Sequence, residues 1–423
     1  MKSKVNIAII GAGLSGLSAA YTLVKDDRVA VTLFEARKDV GGRVKSIIID
    51  GHSVDVGGFI IYPWYDTYHR LIRELGLTQY LRKIKDVNIY YQLDPDGPYF
   101  AESKLPVANT EKLQFGSQLL AAWLRQWPDF RAPDINYFGD KTINDVLKAG
   151  SGSKNVLRCF IDTVNQGYCY SGLDAFRMSF YAPFVYQTLT HGDLRTGHDF
   201  GGNNGLFTHA IANAIEKAGG EIRLGTMVQK INNKEIITRG SAEKFDRIIF
   251  AQPVDSLYTS IIQAPSFDYT HFYAVVMRLE KPLSVDDTDN WTAVFAAPKN
   301  HDEACITSLI RAESMAPGLT PGYLIVNYKV RDARPITKIN LEKQLREELR
   351  RLFPDSSSAT LVEAVPWGKT MPIATFDFVR EVRENQGKYG YYFAGDYLGS
   401  PSMETALSSG VAAARLLQHD IVQ

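Results

Sequence analysis

Residues 5–43 constrain this chain more than any other stretch. Val5-Asn6-Ile7-Ala8-Ile9-Ile10 is a short apolar run biased to β-branched residues, which predicts a buried parallel strand. Gly11-Ala12-Gly13-Leu14-Ser15-Gly16 follows at once and opens a helical stretch from Leu17 to Val24. A second apolar run, Ala30 to Phe34, ends on Glu35. Strand, glycine-rich turn, helix, strand and acid, in that order, are the parts of a dinucleotide site. Gly11 permits the tight turn, Gly13 lets backbone approach a pyrophosphate, and Gly16 lets the helix pack closely on the strand. Leu14 and Ser15 stand at the helix N-terminus, whose free N–H groups and partial positive charge favour phosphates. Glu35 lies 24 residues after Gly11, at the strand tip, where a carboxylate accepts from ribose hydroxyls and repels a 2′-phosphate.

The next residues narrow the dinucleotide. Glu35-Ala36-Arg37-Lys38-Asp39-Val40-Gly41-Gly42-Arg43 resembles the second signature of the FAD-binding flavin amine oxidase superfamily. That superfamily spans amine and L-amino-acid oxidases, protoporphyrinogen oxidases and phytoene desaturases. The resemblance implies that Glu35 and Ala36 meet FAD at the strand tip and that Gly41, Gly42 and Arg43 lie along its pyrophosphate. The chemistry agrees, since glycines allow close backbone approach and an arginine can fork onto phosphate oxygens. The resemblance continues at Asp55-Val56-Gly57-Gly58, implying a backbone beside the flavin ring, with Phe59, Ile60 and the residues to Tyr62 lining ring or substrate. It continues at Gly219-Gly220-Glu221-Ile222, and implies that Val228 contacts the adenine. It ends at Ala394-Gly395-Asp396-Tyr397 and Ser402-Met403-Glu404-Thr405, which resemble the desaturase and protoporphyrinogen oxidase branches most. Here Asp396 is expected to bond FAD's linker hydroxyls or order water at the phosphates. Ser402, Met403 and Thr405 begin a helix whose N-terminus can hold the electron-rich edge of a reduced flavin. Tyr397 and Trp367 are the flavin-facing catalytic candidates, with a packed core role as the competing reading for Trp367. The lysine that amine oxidases place near the flavin has no distinctive match; Lys281 and Lys299 are the candidates. No cysteine adjoins the C-terminal signature, so FAD is expected to be non-covalent.

The fold class expected is α/β: a Rossmann-type FAD-binding domain (glutathione reductase-2-like) with an inserted α+β substrate domain. Residues 1–85, 200–265 and 361–423 are assigned to the first, and 86–199 and 266–360 to the second. Within these, Asp66 to Leu77 predicts a helix capped by Asp66, and Asn340 to Phe353 an amphipathic one with Glu342–Arg346 and Glu347–Arg351 pairs. Met227 to Ile231, His271 to Glu280 and Tyr323 to Val330 predict strands. The runs Asn165–Tyr170 and Phe180–Tyr186 are candidates for an apolar cavity wall, with tyrosines that merely fill a core as the competing reading. Leu119 to Trp127 reads as a core helix, with a helix lying on a membrane surface as the competing reading, which the short, non-basic stretch does not indicate. The 423 residues carry zero formal net charge, which speaks against nucleic acid. Cys159, Cys169 and Cys305 are too scattered for a disulfide framework, and the histidines, His191 and His198 included, lack metal-ligand spacing. No signal peptide or membrane span is visible, and the reading is cytoplasmic.

The function expected is dehydrogenation of a C–N or C–C bond in a largely apolar or aromatic small molecule, with O₂ or a quinone as electron acceptor. The alternatives are a redox-neutral double-bond isomerase of a fatty acid or polyene on the same scaffold, and, further off, a non-catalytic FAD-bound partner protein.

Overall fold

The computed structural model describes residues 4–126, 138–148, 155–191, 196–254, 261, 266–281, 283–285, 288–298, 300, 303–354, 356 and 358–422. A five-stranded sheet runs in the order Tyr391–Phe393, Arg247–Phe250, Val5–Ile10, Val29–Phe34, Glu221–Arg223. Every neighbouring pair is parallel. Numbered along the chain the order is 5-4-1-2-3, so the winding reverses beside Val5–Ile10 and opens a crevice at the strand ends there. Ile7 and Ile9 pack on one face with Leu17, Ala20 and Leu407; Ala8 and Ile10 pack on the other with Val228, Ile236 and Phe245. Burial on both faces is why the strand reads as an unbroken apolar run. The second face is covered by an antiparallel meander, Lys230–Asn232, Glu235–Ile237 and Ala242–Lys244. Its first strand starts three residues later than Met227.

The first face carries the Leu14–Leu23 and Met403–Val422 helices, which cross almost backbone to backbone. A Cβ on Gly410 would lie 2.1 Å from the Ser15 carbonyl oxygen and 2.3 Å from Ser18 Oγ. Ser18 Oγ donates to the Leu407 carbonyl at 2.8 Å across this crossing.

A seven-stranded sheet forms the other half: Ala359–Trp367, His271–Leu279, Tyr323–Val330, Cys305–Arg311, Ala293–Phe295, Ile89–Gln92, Tyr99–Ala101. It is antiparallel except where Ala293–Phe295 meets Ile89–Gln92. The boundary expected at 361 cuts through a strand of this sheet. Ala359 to Trp367 pairs with His271–Leu279 along its length, from Leu279 opposite Ala359 to Phe272 opposite Trp367.

Two helices differ from expectation at their ends. The Lys338–Leu352 helix starts two residues early because Thr337 accepts from the Asn340 amide and caps it. Leu341, Leu345, Leu349 and Leu352 are buried as the spacing predicts. Glu342 pairs with Arg346 at 2.7 Å, but Arg351 pairs with Glu348 at 3.1 Å rather than with Glu347. The Asp66–Glu74 helix is not capped by Asp66, which already lies in its first turn behind Tyr65. Glu404 does that work from 337 and 336 residues away: its carboxylate accepts from the Thr67 and Tyr68 amides at 2.9 and 3.0 Å, and it is 1% exposed. Glu404→Gln sets an amide donor against one of two buried N–H groups. It is expected to cost about 2 kcal/mol in urea unfolding, whereas an unchanged midpoint would show that the carboxylate does not cap the helix.

Candidate functional site

The glycine-rich turn at the crevice is built so tightly that its glycines are required. Gly11 has φ +103°, and a Cβ there would sit 2.8 Å from the Ala251 carbonyl oxygen; a Cβ on Gly16 would sit 1.9 Å from that of Gly11. Gly41 has φ +106° and donates its amide to Ala12 at 2.8 Å, while Gly42 lies over Gly13. The two glycine signatures therefore pack backbone on backbone and leave N–H groups at one helix N-terminus. Leu14 and Ser15, in the first turn of that helix, are buried. Glu35 Oε2 accepts from the Ala12 amide at 2.7 Å and Oε1 from the Arg37 amide at 2.8 Å, which fixes the carboxylate at the turn; Ala36 beside it is exposed. Each oxygen keeps a lone pair for a ribose hydroxyl.

Gly57 and Gly58 return against this pair. Gly58 donates to the Arg43 carbonyl at 2.9 Å, and a Cβ on Gly57 would lie 2.1 Å from that oxygen. A Cβ on Gly58 would lie 3.1 Å from Met403 Sδ, so this segment adjoins the start of the C-terminal helix. Phe59 and Ile60 beyond it are half-buried. Ser402 caps that helix by accepting from the Thr405 amide at 3.0 Å, and Thr405 Oγ1 donates to Ser400 at 2.6 Å. Gly395 donates its amide to Ser409 Oγ at 3.0 Å. Val228 is buried at the foot of the parallel sheet.

Arg43 has a partner within the protein. Its fork grips Asp396, with Nη1 at 2.9 Å and Nη2 at 2.7 Å, and Nη1 also donates to the Thr370 carbonyl. The arginine and the acid that the sequence assigned to separate parts of the cofactor form one bidentate pair. The Asp396 carboxylate beside Arg43 is 7% exposed, against 34% for Arg43.

Both catalytic candidates are buried. Tyr397 is 2% exposed, wedged between Phe267 and Phe378 at ring distances of 5.8 and 5.7 Å, because the chain folds its ring back over Gly395. Trp367 is 5% exposed and donates Nε1–H to the Val56 carbonyl at 3.0 Å. It ties the Asp55–Gly58 segment to the second sheet, a fixed partner that accounts for the tryptophan by packing and anchoring. Lys281 is exposed; Lys299 and Trp127 lie outside the described residues.

The two aromatic runs do converge. Tyr170 donates to the Pro401 carbonyl at 2.5 Å, just before the C-terminal helix, and lies 6.3 Å from the Phe184 ring. Tyr62 lies 6.1 Å from the same ring, stacked on Trp64 at 4.3 Å. Burial pushes the Tyr62, Tyr65 and Tyr170 hydroxyls well above their ordinary range, so all three stay neutral. Burial likewise pushes the Cys169 thiol up to about 12 and Cys305 to about 11, which leaves neither as a nucleophile.

Asp55 precedes Val56-Gly57-Gly58, and nothing local in the sequence marks its burial. It is 2% exposed; Oδ1 accepts from Ser46 Oγ at 2.6 Å and the Asn204 amide at 3.0 Å, and Oδ2 is buried without a hydrogen-bond partner among the described residues. Burial raises its pKa to about 7, outweighing the two hydrogen bonds. The folded pKa exceeds the unfolded one, so the carboxyl's contribution is whole below about pH 4 and is lost as pH rises through about 7. The loss is on the order of 4 kcal/mol. Asp55→Asn is expected to flatten this decline; urea midpoints at about pH 5 and about pH 8 check it, and an equal slope in both proteins would contradict it.

No helix among the described residues is long and apolar enough to cross a membrane. The profile of flavin containing amine oxidoreductases matches residues 14–418. Prenylcysteine oxidase 1 of Mus musculus is 36% identical over 118 residues, a match covering 27% of this chain and 23% of that protein. Mitochondrial protoporphyrinogen oxidase of Nicotiana tabacum is 22% identical over 98% of this chain and 95% of that one. The crystal structure of a CLA-producing fatty acid isomerase from P. acnes shares the fold, with a TM-score of 0.70, 14% identity and 99% of each chain covered. With the glycine cradle, the Glu35 tip and the capped C-terminal helix all fitting a dinucleotide, the chain belongs to the flavin containing amine oxidoreductase family and is an FAD-dependent oxidoreductase.

Proposed function

We propose that this enzyme dehydrogenates a C–N or C–C bond of a small molecule seated against Tyr62, Tyr65 and Tyr170. The observation that carries the reading is this wall itself. It stands at the start of the Met403–Val422 helix, and burial keeps its hydroxyls neutral, so they orient and exclude water but abstract no proton. Bound non-covalently, FAD would supply the hydride-accepting chemistry, with O₂ or a quinone as the final acceptor. Gly11, Gly13, Gly16, Glu35, Gly41 and Gly42 would hold its dinucleotide end, and the amides behind Ser402 would face its ring. In this reading the parallel sheet is the Rossmann-type FAD-binding domain. The seven-stranded sheet and the helices between residues 109 and 191 are the inserted substrate domain, whose boundary falls after Trp367. Deuterium at the reacting carbon is expected to slow flavin bleaching; a rate indifferent to the label would contradict hydride transfer in that step.

One observation favours a second reading. The shared fold with a fatty acid isomerase admits a double-bond shift with no net redox change. A product of unchanged mass, formed without O₂ uptake, would identify it.

A further inference from the structure

Three buried polar atoms come together without a partner. Asp55 Oδ2, Asn204 Oδ1 and the Tyr68 hydroxyl each lack a hydrogen bond among the described residues, and none of the three is reached by water. They come from a strand and two helices. The Asn204 amide donates to Asp55 Oδ1 at 3.0 Å, and Asn204 is the N-cap of the Gly205–Lys217 helix. In the first turn of that helix, Phe207 stacks on the Tyr68 ring at 4.2 Å. With Asp55 ionised, its Oδ2 and the Asn204 Oδ1 can only accept. A charge on a buried oxygen with no donor is costly. Water or a cation needs room that these atoms do not have. A proton needs none, and on Oδ2 it removes the charge and turns one of the two acceptors into a donor.

The groups around Asp55 leave it poised. The Gly205–Lys217 N-terminus and Ser46 Oγ, which donates to Oδ1 at 2.6 Å, favour the ionised form. Burial and the negative charge of Asp199 oppose it and prevail, so the carboxyl titrates near neutrality. Arg82 is gripped by Asp199 itself at 2.8 Å, and burial holds the neighbouring His198 neutral. Glu313, from the Ala312–Met315 helix that contacts the His52–Asp55 strand, is paired with Arg311 at 2.8 Å. On that strand His52 lies against Gly318.

Asn204 also ties this acid to the cofactor side. Its Nδ2 donates to the Gly58 carbonyl at 3.2 Å, and Gly58 abuts Met403, where the C-terminal helix begins. Asp55 and Gly58 are three residues apart, about 10 Å of extended chain. A negative charge arising at that helix N-terminus would raise the proton affinity of Asp55 by about tenfold at the effective dielectric of a protein.

We propose that Asp55 takes up a proton when the flavin is reduced and releases it on reoxidation. The substrate C–H bond breaks with both electrons passing to the flavin as a hydride, so the site gains one negative charge. Water then supplies a proton to Asp55 through the half-buried Ser46 hydroxyl, which offsets that charge. Reoxidation by O₂ or a quinone removes the two electrons, and Asp55 returns its proton to water. This rests on the reading that Gly57 and Gly58 adjoin the ring, and it holds for any substrate.

The test is a spectroelectrochemical titration of the FAD-bound enzyme, which reduces the flavin through a mediator and needs no substrate. The slope of midpoint potential against pH counts the protons taken up per flavin. At about pH 7.5 the wild type is expected to take up about half a proton more than Asp55→Asn. The reduced-minus-oxidised infrared spectrum is expected to show a protonated carboxyl appearing. That band is absent in D55N and shifted in Tyr68→Phe, which removes a hydroxyl that feels the Asp55 charge. A carboxyl that only caps a helix would change neither the proton count nor the spectrum. Equal slopes in wild type and D55N, or no carboxyl band on reduction, would overturn the proposal. If D55N does not fold, the wild-type band and Y68F decide, and a band that Y68F leaves unmoved would overturn it. Each of these failures leaves the dehydrogenation reading standing. A flavin whose reduction loads Asp55 but which no substrate bleaches would overturn the dehydrogenation reading alone.

Discussion

Gly16→Ala is expected to give a protein that no longer retains FAD. The added methyl would meet the Gly11 carbonyl oxygen at 1.9 Å, a backbone atom that cannot rotate away. Gly11 is itself fixed, because its amide donates to Phe34 at 2.8 Å and its own Cα faces the Ala251 carbonyl. Relief must come from the Leu14–Leu23 helix sliding outward. That helix is already in backbone contact with the C-terminal helix at Gly410, so one methyl disturbs both N-termini that the cofactor needs. Overpacking of this kind costs about 3 kcal/mol, which is more than a hundredfold in FAD affinity if it falls wholly on the bound form. The checks are the flavin-to-protein absorbance ratio after gel filtration and the unfolding midpoint. A variant with full flavin content would show that the turn does not carry the dinucleotide.

Arg43→Ala is expected to lose nearly as much, by another route. Arg43 grips Asp396 with both terminal nitrogens and binds Thr370, so three chain segments meet at one guanidinium. Its removal strands a carboxylate that is 7% exposed. Breaking a buried pair costs up to about 5 kcal/mol, and partial exposure of the arginine brings the expectation to about 3. Arg43→Lys keeps the charge and loses the fork, so it should fall between. Adding Asp396→Asn to Arg43→Ala should recover part of the loss, because no unpaired charge remains. Thermal unfolding of the wild type, these three variants and Asp396→Asn alone checks this; strict additivity would show that the pair is not coupled.

The parts of the site that were legible in the sequence are those held by backbone. Gly11, Gly16, Gly41 and Gly57 are written as glycines because each would collide with a carbonyl oxygen, and a fixed spacing records that need. The parallel sheet was legible for the same reason, since burial on both faces leaves unbroken apolar runs. Side-chain partnerships across hundreds of residues were not. Nothing local marks Glu404 as the cap of a helix at residue 66, Trp367 as the anchor of Val56, or Asp396 as the partner of Arg43. Tyr397 follows a signature glycine, but its ring direction is set by Phe267 and Phe378, far off in the chain. The unpartnered atoms of Asp55, Tyr68 and Asn204 were illegible too, coming from a strand and two helices that only the tertiary fold brings together.

The central claim, that this FAD enzyme oxidises a small molecule at a C–N or C–C bond, is tested most directly by anaerobic bleaching of the bound flavin's visible band. The panel is primary and secondary amines, L-amino acids, protoporphyrinogen, polyenes and unsaturated fatty acids. The account predicts that one class bleaches the band and that readmitted air or a quinone restores it. A flavin that no member bleaches, in a protein that shifts the double bond of a fatty acid at constant mass, would contradict it.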